Sequence, residues 1–266
     1  MAVLRRTNGE TIAQDPDKTI RQLAAEYKDD LWRADLRGQD LHGLDLTGGD
    51  LTRADLRDAI LTDANLECAW LARADLTGAK LTGARLWSVN LESADLRGTD
   101  LSGADMRSAN LRDADATDAS FRGTRLDDAD LSFANLEHAD MTRAVLEGAR
   151  MEAASMPGAI LNNANLTDAD ISGADLSDAN LAGADVEDTD LTDSVLTNAT
   201  LRGANLEDAD LTGAELEGAN LSDADLTGAD LTDCDLTGVD ITGADLDGAT
   251  LPAPAPATPD TPGTGI

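Results

Sequence analysis

Apolar side chains recur at every fifth position over most of this chain, from Leu31 to Leu251 without a slip, which gives 45 equivalent positions. Two residues before each of them Ala is the usual residue, and the residue between the two is usually Asp or Asn. The repeating unit is therefore A-(D/N)-L-x-x. Leu occupies the central position throughout except at Met106, Ala116, Phe121, Met141, Met151, Met156, Ile171, Val186 and Ile241.

A period of five fits neither a helix nor a continuous strand. On a helix, five residues advance about 140° beyond a whole turn, so the Leu positions would spiral around every face. On a strand, an odd step flips the side chain, so alternate Leu residues would face water. The pattern instead predicts a short extended piece followed by a corner, with Ala and Leu inward and Asp or Asn outward. The second corner position is rich in Gly, Asp and Asn, which tolerate the positive φ that a type II turn requires. A Leu placed regularly every five residues argues against a disordered acidic chain.

These units resemble those of the pentapeptide-repeat family, and the resemblance covers residues 31–251. The family implies an all-β fold, a right-handed quadrilateral β-helix in which four pentapeptides make one coil. For the 45 units of this chain, the resemblance implies a solenoid of about 11 coils and, at ~4.8 Å per coil, a rod roughly 54 Å long.

Residues 1–30 do not repeat, and they predict a cap for the open first coil. Residues 3–13 predict a hairpin whose turn is Asn8-Gly9. Residues 15–29 predict a short helix with Asp15 as N-cap and Pro16 at its first position, and its apolar stripe would cover the first coil. This hairpin-plus-helix lead-in resembles the leader that precedes the repeats in phage and bacterial members of the family.

Residues 252–266 predict a Pro-rich, disordered tail. Proline lacks the N–H that extends a ladder, so Pro252, Pro254 and Pro256 are expected to stop β-addition. Topoisomerase-directed members of the family resemble one another in ending with a dimer-forming helix, and this chain departs from that pattern. The sequence leaves the oligomeric state open.

Composition and charge exclude several classes of function. The formal net charge is −32, which excludes a general binder of nucleic acid or anionic membranes because both need a basic surface. No apolar run approaches the ~18 residues of a membrane span, and the N-terminus lacks the apolar region of a signal peptide. We therefore expect a cytoplasmic or virion-associated protein. No nucleotide-binding, zinc-protease or hydrolase motif is present, so the sequence predicts no catalytic residue, no cofactor and no metal site, and hence no enzyme.

Tryptophans and arginines mark candidate interaction residues. Trp70 stands where Asp or Asn is usual and faces outward, and Trp87 occupies a first corner position. Arg73 and Arg85 are nearby, and exposed Trp beside Arg is typical of interface hot spots. The alternative is that these are surface aromatics covering neighbouring turns. Trp32, in the first coil, is expected to pack under the N-terminal cap.

Arginines also recur at the coil period of 20 residues. Arg33, Arg53 and Arg73 form one column, and a second column on the next edge contains Arg37, Arg57 and Arg97. Aspartates run between the two columns, at Asp35, Asp55, Asp75 and Asp95. The columns are either a docking stripe for a protein partner, with Arg33 and Arg53 among its residues, or charge compensation for the Asp column.

Acidic residues concentrate in the second half of the chain. Residues 1–150 contain 28 acids and 19 bases, whereas residues 151–266 contain 24 acids and a single base, Arg202. This asymmetry indicates either a DNA-mimicking face, for which Asp190, Asp210 and Asp230 form one candidate column, or adaptation to high salt.

Two functions follow from these observations. The first is a non-catalytic structural scaffold that binds a protein partner, in a phage particle or another assembly. The second is an acidic mimic of DNA that binds a DNA-binding enzyme such as gyrase, as the family resemblance implies. Gyrase-directed members favour Phe at the central position and carry protruding loops. Here Phe121 is the only central Phe and no loop interrupts the units, which favours the scaffold.

Overall fold

A two-stranded hairpin and a short helix lead into the repeats in a computed structural model of the chain, which describes residues 1–253. Strand β1, Ala2–Arg5, pairs antiparallel with β2, Thr11–Asp15. The connecting turn contains Gly9, whose φ of 88° needs a residue without a side chain. Residues 254–266, which fall in the predicted tail, lie outside the described residues.

The predicted helix start at Asp15 is wrong. Helix α1 is Ile20–Glu26, and Thr19 is its N-cap. Thr19 Oγ1 accepts a hydrogen bond from the Gln22 N–H while the Gln22 side chain accepts one from the Thr19 N–H, a reciprocal capping box. Asp15 instead ends β2, and its carboxylate accepts a bond from the Asp17 N–H in a local turn. The two-sided cap outcompetes the Asp-Pro signal because it satisfies two backbone donors.

After a 3₁₀ turn at Lys28–Asp30 the chain winds into coils of 20 residues. Parallel bridges join residues 20 apart, from Asp35–Asp55 to Asp230–Thr250, so four pentapeptides complete each coil. The result is a four-sided β-helix, as the family resemblance implies. An antiparallel bridge from Arg6 to Ala34 attaches the lead-in to the first coil. Within residues 1–253 the ladder is interrupted opposite Glu215, where the bridge to Asp235 is missing.

Most backbone donors of a pentapeptide bond to the coils on either side, as the unit around Leu56 illustrates. The N–H groups of Leu56 and Asp58 donate to the next coil, at 2.7 Å and 3.0 Å, and that of Ile60 donates to the preceding coil at 2.9 Å. The Ala59 N–H closes the turn onto Leu56 O at 3.0 Å. The remaining donor, on the first corner residue Arg57, points to Asp55 Oδ1 at 3.4 Å.

The Asp or Asn before each Leu therefore has a structural task. Its side-chain oxygen accepts the N–H of the first corner residue, as between Thr77 and Asp75 at 3.1 Å and between Thr212 and Asp210 at 2.9 Å. A corner N–H without such a partner would have to find water, because the coil offers it no other acceptor. This cap explains why the outward position strongly favours Asp and Asn over other polar residues.

The corners hold positive φ at their second position throughout. Gly, Asp and Asn fill most of these sites, but Arg33, Arg53, Arg73, Phe133 and Ala153 also adopt φ between 53° and 60°. The left-handed conformation costs a residue with a Cβ roughly 1–2 kcal/mol, and Asn and Asp tolerate it best. The fold thus keeps several bulky residues in a conformation that their own side chains disfavour.

Leu and Ala form a continuous core along the rod, as the sequence predicts. From Leu31 to Leu231 the central residues are all 0–1% exposed. The rule fails in the last coil, where Ile241 is 40% and Leu251 is 53% exposed. These side chains point along the same inward direction, but no further described coil covers them.

Two unusual central residues fall next to each other in one coil. Ala116 is the only Ala and Phe121 the only Phe among the 45 central positions, and they occupy adjacent sides of the same coil. Both are buried, at 1% and 0% exposure. Since four central side chains fill the interior of a coil, we expect the Phe121 ring to occupy the volume that the small Ala116 leaves.

Candidate protein-binding surface

Arg33, Arg53 and Arg73 lie one above another on three successive coils, and we call this column the Arg corner. None of the three guanidinium groups forms an ion pair or a hydrogen bond with another side chain among residues 1–253. Arg53 and Arg73 are exposed, and Arg33 is half-buried. At strand spacing the column presents three positive charges over about 10 Å.

The second column, which contains Arg37, Arg57 and Arg97, behaves differently. Arg57 forms a forked pair with Asp55, with the closer contact at 2.6 Å, and also reaches Asp75 at 3.4 Å. Arg97 bonds Asp95 in the same way, and this bond holds the pKa of the Asp95 carboxyl below its ordinary value. The charge-compensation interpretation is therefore right for this column, and the Arg corner is the one that remains without carboxylate partners.

An open groove of 560 Å³ runs beside the Arg corner. A second opening, of 210 Å³, adjoins it and is bordered by Trp70, and the two share Asp50 and Thr52. Trp70 is 57% exposed, the highest value among the described tryptophans. We refer to both openings together as the groove. Its main part is lined by Trp32, Arg33, Asp50, Thr52, Arg53, Ala72, Arg73 and Glu92.

Trp70 also changes the backbone of the groove. Because it replaces the usual Asp or Asn, no side chain accepts the N–H of Ala72, the first corner residue that follows. In the coils below and above, Asp50 caps Thr52 at 3.0 Å and Asn90 caps Glu92 at 3.0 Å. The groove therefore contains one uncapped backbone donor flanked by two capped ones. Sequence reasoning missed Ala72, although the departure from Asp or Asn at position 70 was the signal for it.

Trp32 packs under the predicted cap only in part. Its side chain is 37% exposed and forms one end of the groove. The Arg6 guanidinium stacks over the indole at 4.2 Å and donates to Trp32 O at 2.6 Å, while Arg33 lies 5.4 Å from the ring centroid. The same guanidinium pairs with the Asp30 carboxylate at 2.7 Å. Stacking between cations and the ring fixes Trp32 at the surface.

The structure does not bring all of the predicted residues together. Arg85 lies on the side that precedes the Trp70 side, in a ladder between Asn65 and Asp105. Trp87 lies on the corner between these two sides and is 45% exposed. Neither residue lines the groove. Arg33, Arg53, Arg73 and Trp70 share one surface, whereas Trp87 and Arg85 belong to an adjacent one.

The candidate acidic face lies farther along the rod. Asp190, Asp210 and Asp230 are joined in one ladder on the same side as Trp70. One oxygen of each accepts the N–H of a corner Thr at 2.9 Å. On the preceding corner, repulsion from Glu187 raises the pKa of Glu207 above its ordinary value. Glu187 and Glu207 therefore repel each other on this corner.

Metal and membrane features are not found in residues 1–253. No group of three or more His, Cys, Asp and Glu side chains is arranged to hold a metal ion there. Neither helical segment in this range is long and apolar enough to cross a bilayer.

Comparisons with known proteins agree with the repeat. A family model described as "Pentapeptide repeats (8 copies)" matches overlapping stretches from residue 30 to residue 251. The crystal structure of HetL, a pentapeptide repeat protein involved in heterocyst differentiation regulation from the cyanobacterium Nostoc sp. Strain PCC 7120, is 30% identical. It covers 90% of this chain and 98% of its own, with a TM-score of 0.38. A comparison with curated protein sequences gives no match.

Two further solved structures are similar over shorter stretches. QnrB1, a plasmid-mediated fluoroquinolone resistance protein, is 21% identical over 64% of this chain and 85% of its own, with a TM-score of 0.43. Rfr23, a pentapeptide repeat protein from the cyanobacterium Cyanothece 51142, is 38% identical over 36% of this chain and 63% of its own, with a TM-score of 0.23.

Proposed function

The chain belongs to the pentapeptide-repeat family, and on that premise we propose that it is a non-catalytic scaffold that binds a protein partner through its first coils. The rod holds side chains in fixed columns at strand spacing, which suits a binding surface that needs no rearrangement. The hairpin-plus-helix lead-in supports a role as a component of a phage particle or another assembly.

One observation carries this proposal: the Arg corner has no carboxylate partner within the described residues. Aspartates dominate the surface, and the neighbouring column of arginines is paired with them. If charge compensation alone explained the arginines, both columns would be paired. Unpaired Arg beside exposed Trp is the composition of binding hot spots.

A photo-crosslinking experiment tests where the partner docks. Thr52 lines the groove, and Thr192 is the same residue at the same corner position seven coils farther along, outside the groove. A photoreactive amino acid at either site of the full chain is irradiated in lysate of the native host. We expect a discrete crosslinked protein from position 52 and none from position 192. Equal crosslinking at both sites, or crosslinking at position 192 alone, would refute docking through the first coils.

The acidic half supports a second candidate, a DNA mimic that binds a DNA-binding enzyme such as gyrase. Residues 151–251 contain 23 acids and one base. At strand spacing this is one net charge per ~1.1 Å of rod, denser than the ~1.7 Å of duplex DNA. The Asp190, Asp210 and Asp230 ladder supplies one continuous column of these charges.

Competition with duplex DNA tests the mimic. The full chain should displace labelled DNA from gyrase at low ionic strength and lose this ability steeply as salt rises. Replacing Asp190, Asp210 and Asp230 with Asn should weaken displacement while keeping the corner caps, because Asn also accepts the corner N–H. Replacing the same number of aspartates on three different sides is the matched control. Absence of competition at low salt would eliminate the mimic.

A further inference from the structure

From the groove beside the Arg corner we infer that the partner contributes an extended acidic peptide segment, with carboxylate side chains on Arg33, Arg53 and Arg73. This inference deepens the proposed scaffold function and rests on it. It names the chemistry of the partner, which the scaffold function alone leaves open.

Charge complementarity is the first argument. The protein carries a net charge of −32, yet the main part of the groove is lined by three guanidinium groups against two carboxylates, those of Asp50 and Glu92. Asp29 borders only the smaller opening. The Asp50 carboxylate is already engaged by the Thr52 N–H. Arginine forms its strongest contacts with carboxylates through paired N–H donors, and the Arg corner offers three such donors in a row.

Backbone conformation is an independent second argument. Arg33, Arg53 and Arg73 adopt φ of 55°, 59° and 59°. Arg143 is the only other Arg at positive φ in residues 1–253. Gly, Asp or Asn would relieve this conformation at each site, as they do at most other corners. Clusters of residues held in disfavoured conformations are typical of functional surfaces, and the retained property here is a column of cations.

The uncapped Ala72 N–H is the third argument for a bound segment. It lies in the groove between Arg53 and Arg73 and has no acceptor among the described residues. A carboxylate or a peptide carbonyl of a bound segment would satisfy it, as Asp50 and Asn90 do for its neighbours. The exposed indole of Trp70 stands beside this donor and would cover the bound segment.

Dimensions favour a segment that runs along the rod. The three arginines span two coil spacings, about 10 Å, and alternate side chains of an extended chain lie roughly 6.6 Å apart. Two or three acidic residues at alternate positions therefore fall within reach of the long Arg side chains.

Fluorescence anisotropy with a labelled eight-residue peptide of alternating Glu and Ser tests the inference directly. We expect the full chain to bind it at low salt at least tenfold more tightly than the peptide in which Gln replaces Glu. The triple variant Arg33→Asn, Arg53→Asn, Arg73→Asn should lose at least tenfold in affinity. Asn tolerates the corner conformation, so this variant is expected to fold.

A control variant removes the same charge from the neighbouring, paired column of arginines. Arg37→Asn, Arg57→Asn, Arg97→Asn changes the net charge equally but leaves the groove intact, and we expect no more than about a threefold loss. Trp70→Asn restores a cap on Ala72 and should also weaken binding several-fold. Equal losses in the groove and control variants would overturn the inference, as would tight binding of the Gln peptide.

A labelled oligothymidylate of eight nucleotides separates a peptide site from a general anion surface. If it binds as tightly as the Glu peptide and the groove variant loses both, the acidic-peptide assignment is wrong. The crosslinking experiment at Thr52 keeps the two proposals distinct. Crosslinking at position 52 without peptide binding refutes the acidic segment but not the scaffold. Peptide binding without crosslinking at position 52 refutes partner docking through the first coils but not the affinity of the groove for an acidic peptide.

Discussion

Ala116 and Phe121 provide a sensitive test of how the interior of a coil is filled. Replacing Phe121 with Leu removes part of a fully buried ring, and a cavity of that size costs about 1–2 kcal/mol. Replacing Ala116 with Leu adds three carbon atoms to a buried site beside the ring, and overpacking of this kind costs about 1–3 kcal/mol. If the two positions share volume, the double variant has four ordinary central residues and should unfold within about 1 kcal/mol of the natural chain.

The measurement is a double-mutant cycle on the free energy of unfolding, from guanidinium titrations of the full chain followed by circular dichroism. We expect the two costs to cancel rather than add, with a coupling of at least about 1 kcal/mol. Leu221→Ala supplies the control, since Leu221 is buried on the same side as Phe121 but five coils away. Combined with Ala116→Leu, it should be additive. Additive costs for Ala116 and Phe121 themselves would refute the shared volume.

Three further predictions concern the corners and the surface charge. Ala153→Gly should stabilise the protein by about 0.5–1 kcal/mol and Gly103→Ala should destabilise it by about 1 kcal/mol, because both sites hold positive φ. The Gly103 site has open space for a Cβ, so the cost there comes from the backbone conformation and not from a clash. Thermal melts in which both changes shift the melting temperature in the same direction would contradict this. Glu207→Gln should raise the melting temperature at pH 7 and low salt but not in 1 M salt. The raised pKa of Glu207 means that its ionised form is disfavoured in the folded state, so its contribution to stability falls as pH rises through its titration; an equal gain at both salt concentrations would point to another cause. Asp95→Asn should lower the melting temperature near neutral pH. Because the Arg97 bond lowers the folded pKa of Asp95, the stabilisation is present above its unfolded value of about 3.9 and disappears as pH falls through the folded pKa. A difference that does not shrink as pH falls below about 3.9 would be inconsistent with the ion pair.

The repeat could be predicted from sequence because each pentapeptide encodes its own geometry. The inward Leu, the Ala two residues earlier and the residue that accepts positive φ all lie within five positions of one another. These residues determine the geometry of their own pentapeptide, and stacking of the coils repeats that geometry along the chain. The positive φ at Asp58 and Gly78 and the burial of Leu136 follow from the pattern alone.

The helix start and the place of Trp32 needed the tertiary structure. Asp15-Pro16 and Thr19 with Gln22 are both helix-start signals in sequence, and the choice between them depends on where β2 ends. Trp32 was expected to pack under the N-terminal cap. Arg6 of the cap does stack on the ring, but the side chain remains 37% exposed at the end of the groove.

The two arginine columns show most clearly what the sequence left undecided. Arg53 and Arg57 both recur at the coil period, and both lie within two residues of Asp55. From the sequence alone, therefore, the arginines of either column could pair with the aspartates. In the structure Arg57 is a first corner residue whose guanidinium reaches back to the Asp55 side chain, at 2.6 Å. Arg53 is a second corner residue at positive φ, and its side chain forms no pair with Asp55. Position in the turn sets the direction of each side chain. This direction, which spacing in sequence does not contain, determined which arginines were left without a carboxylate.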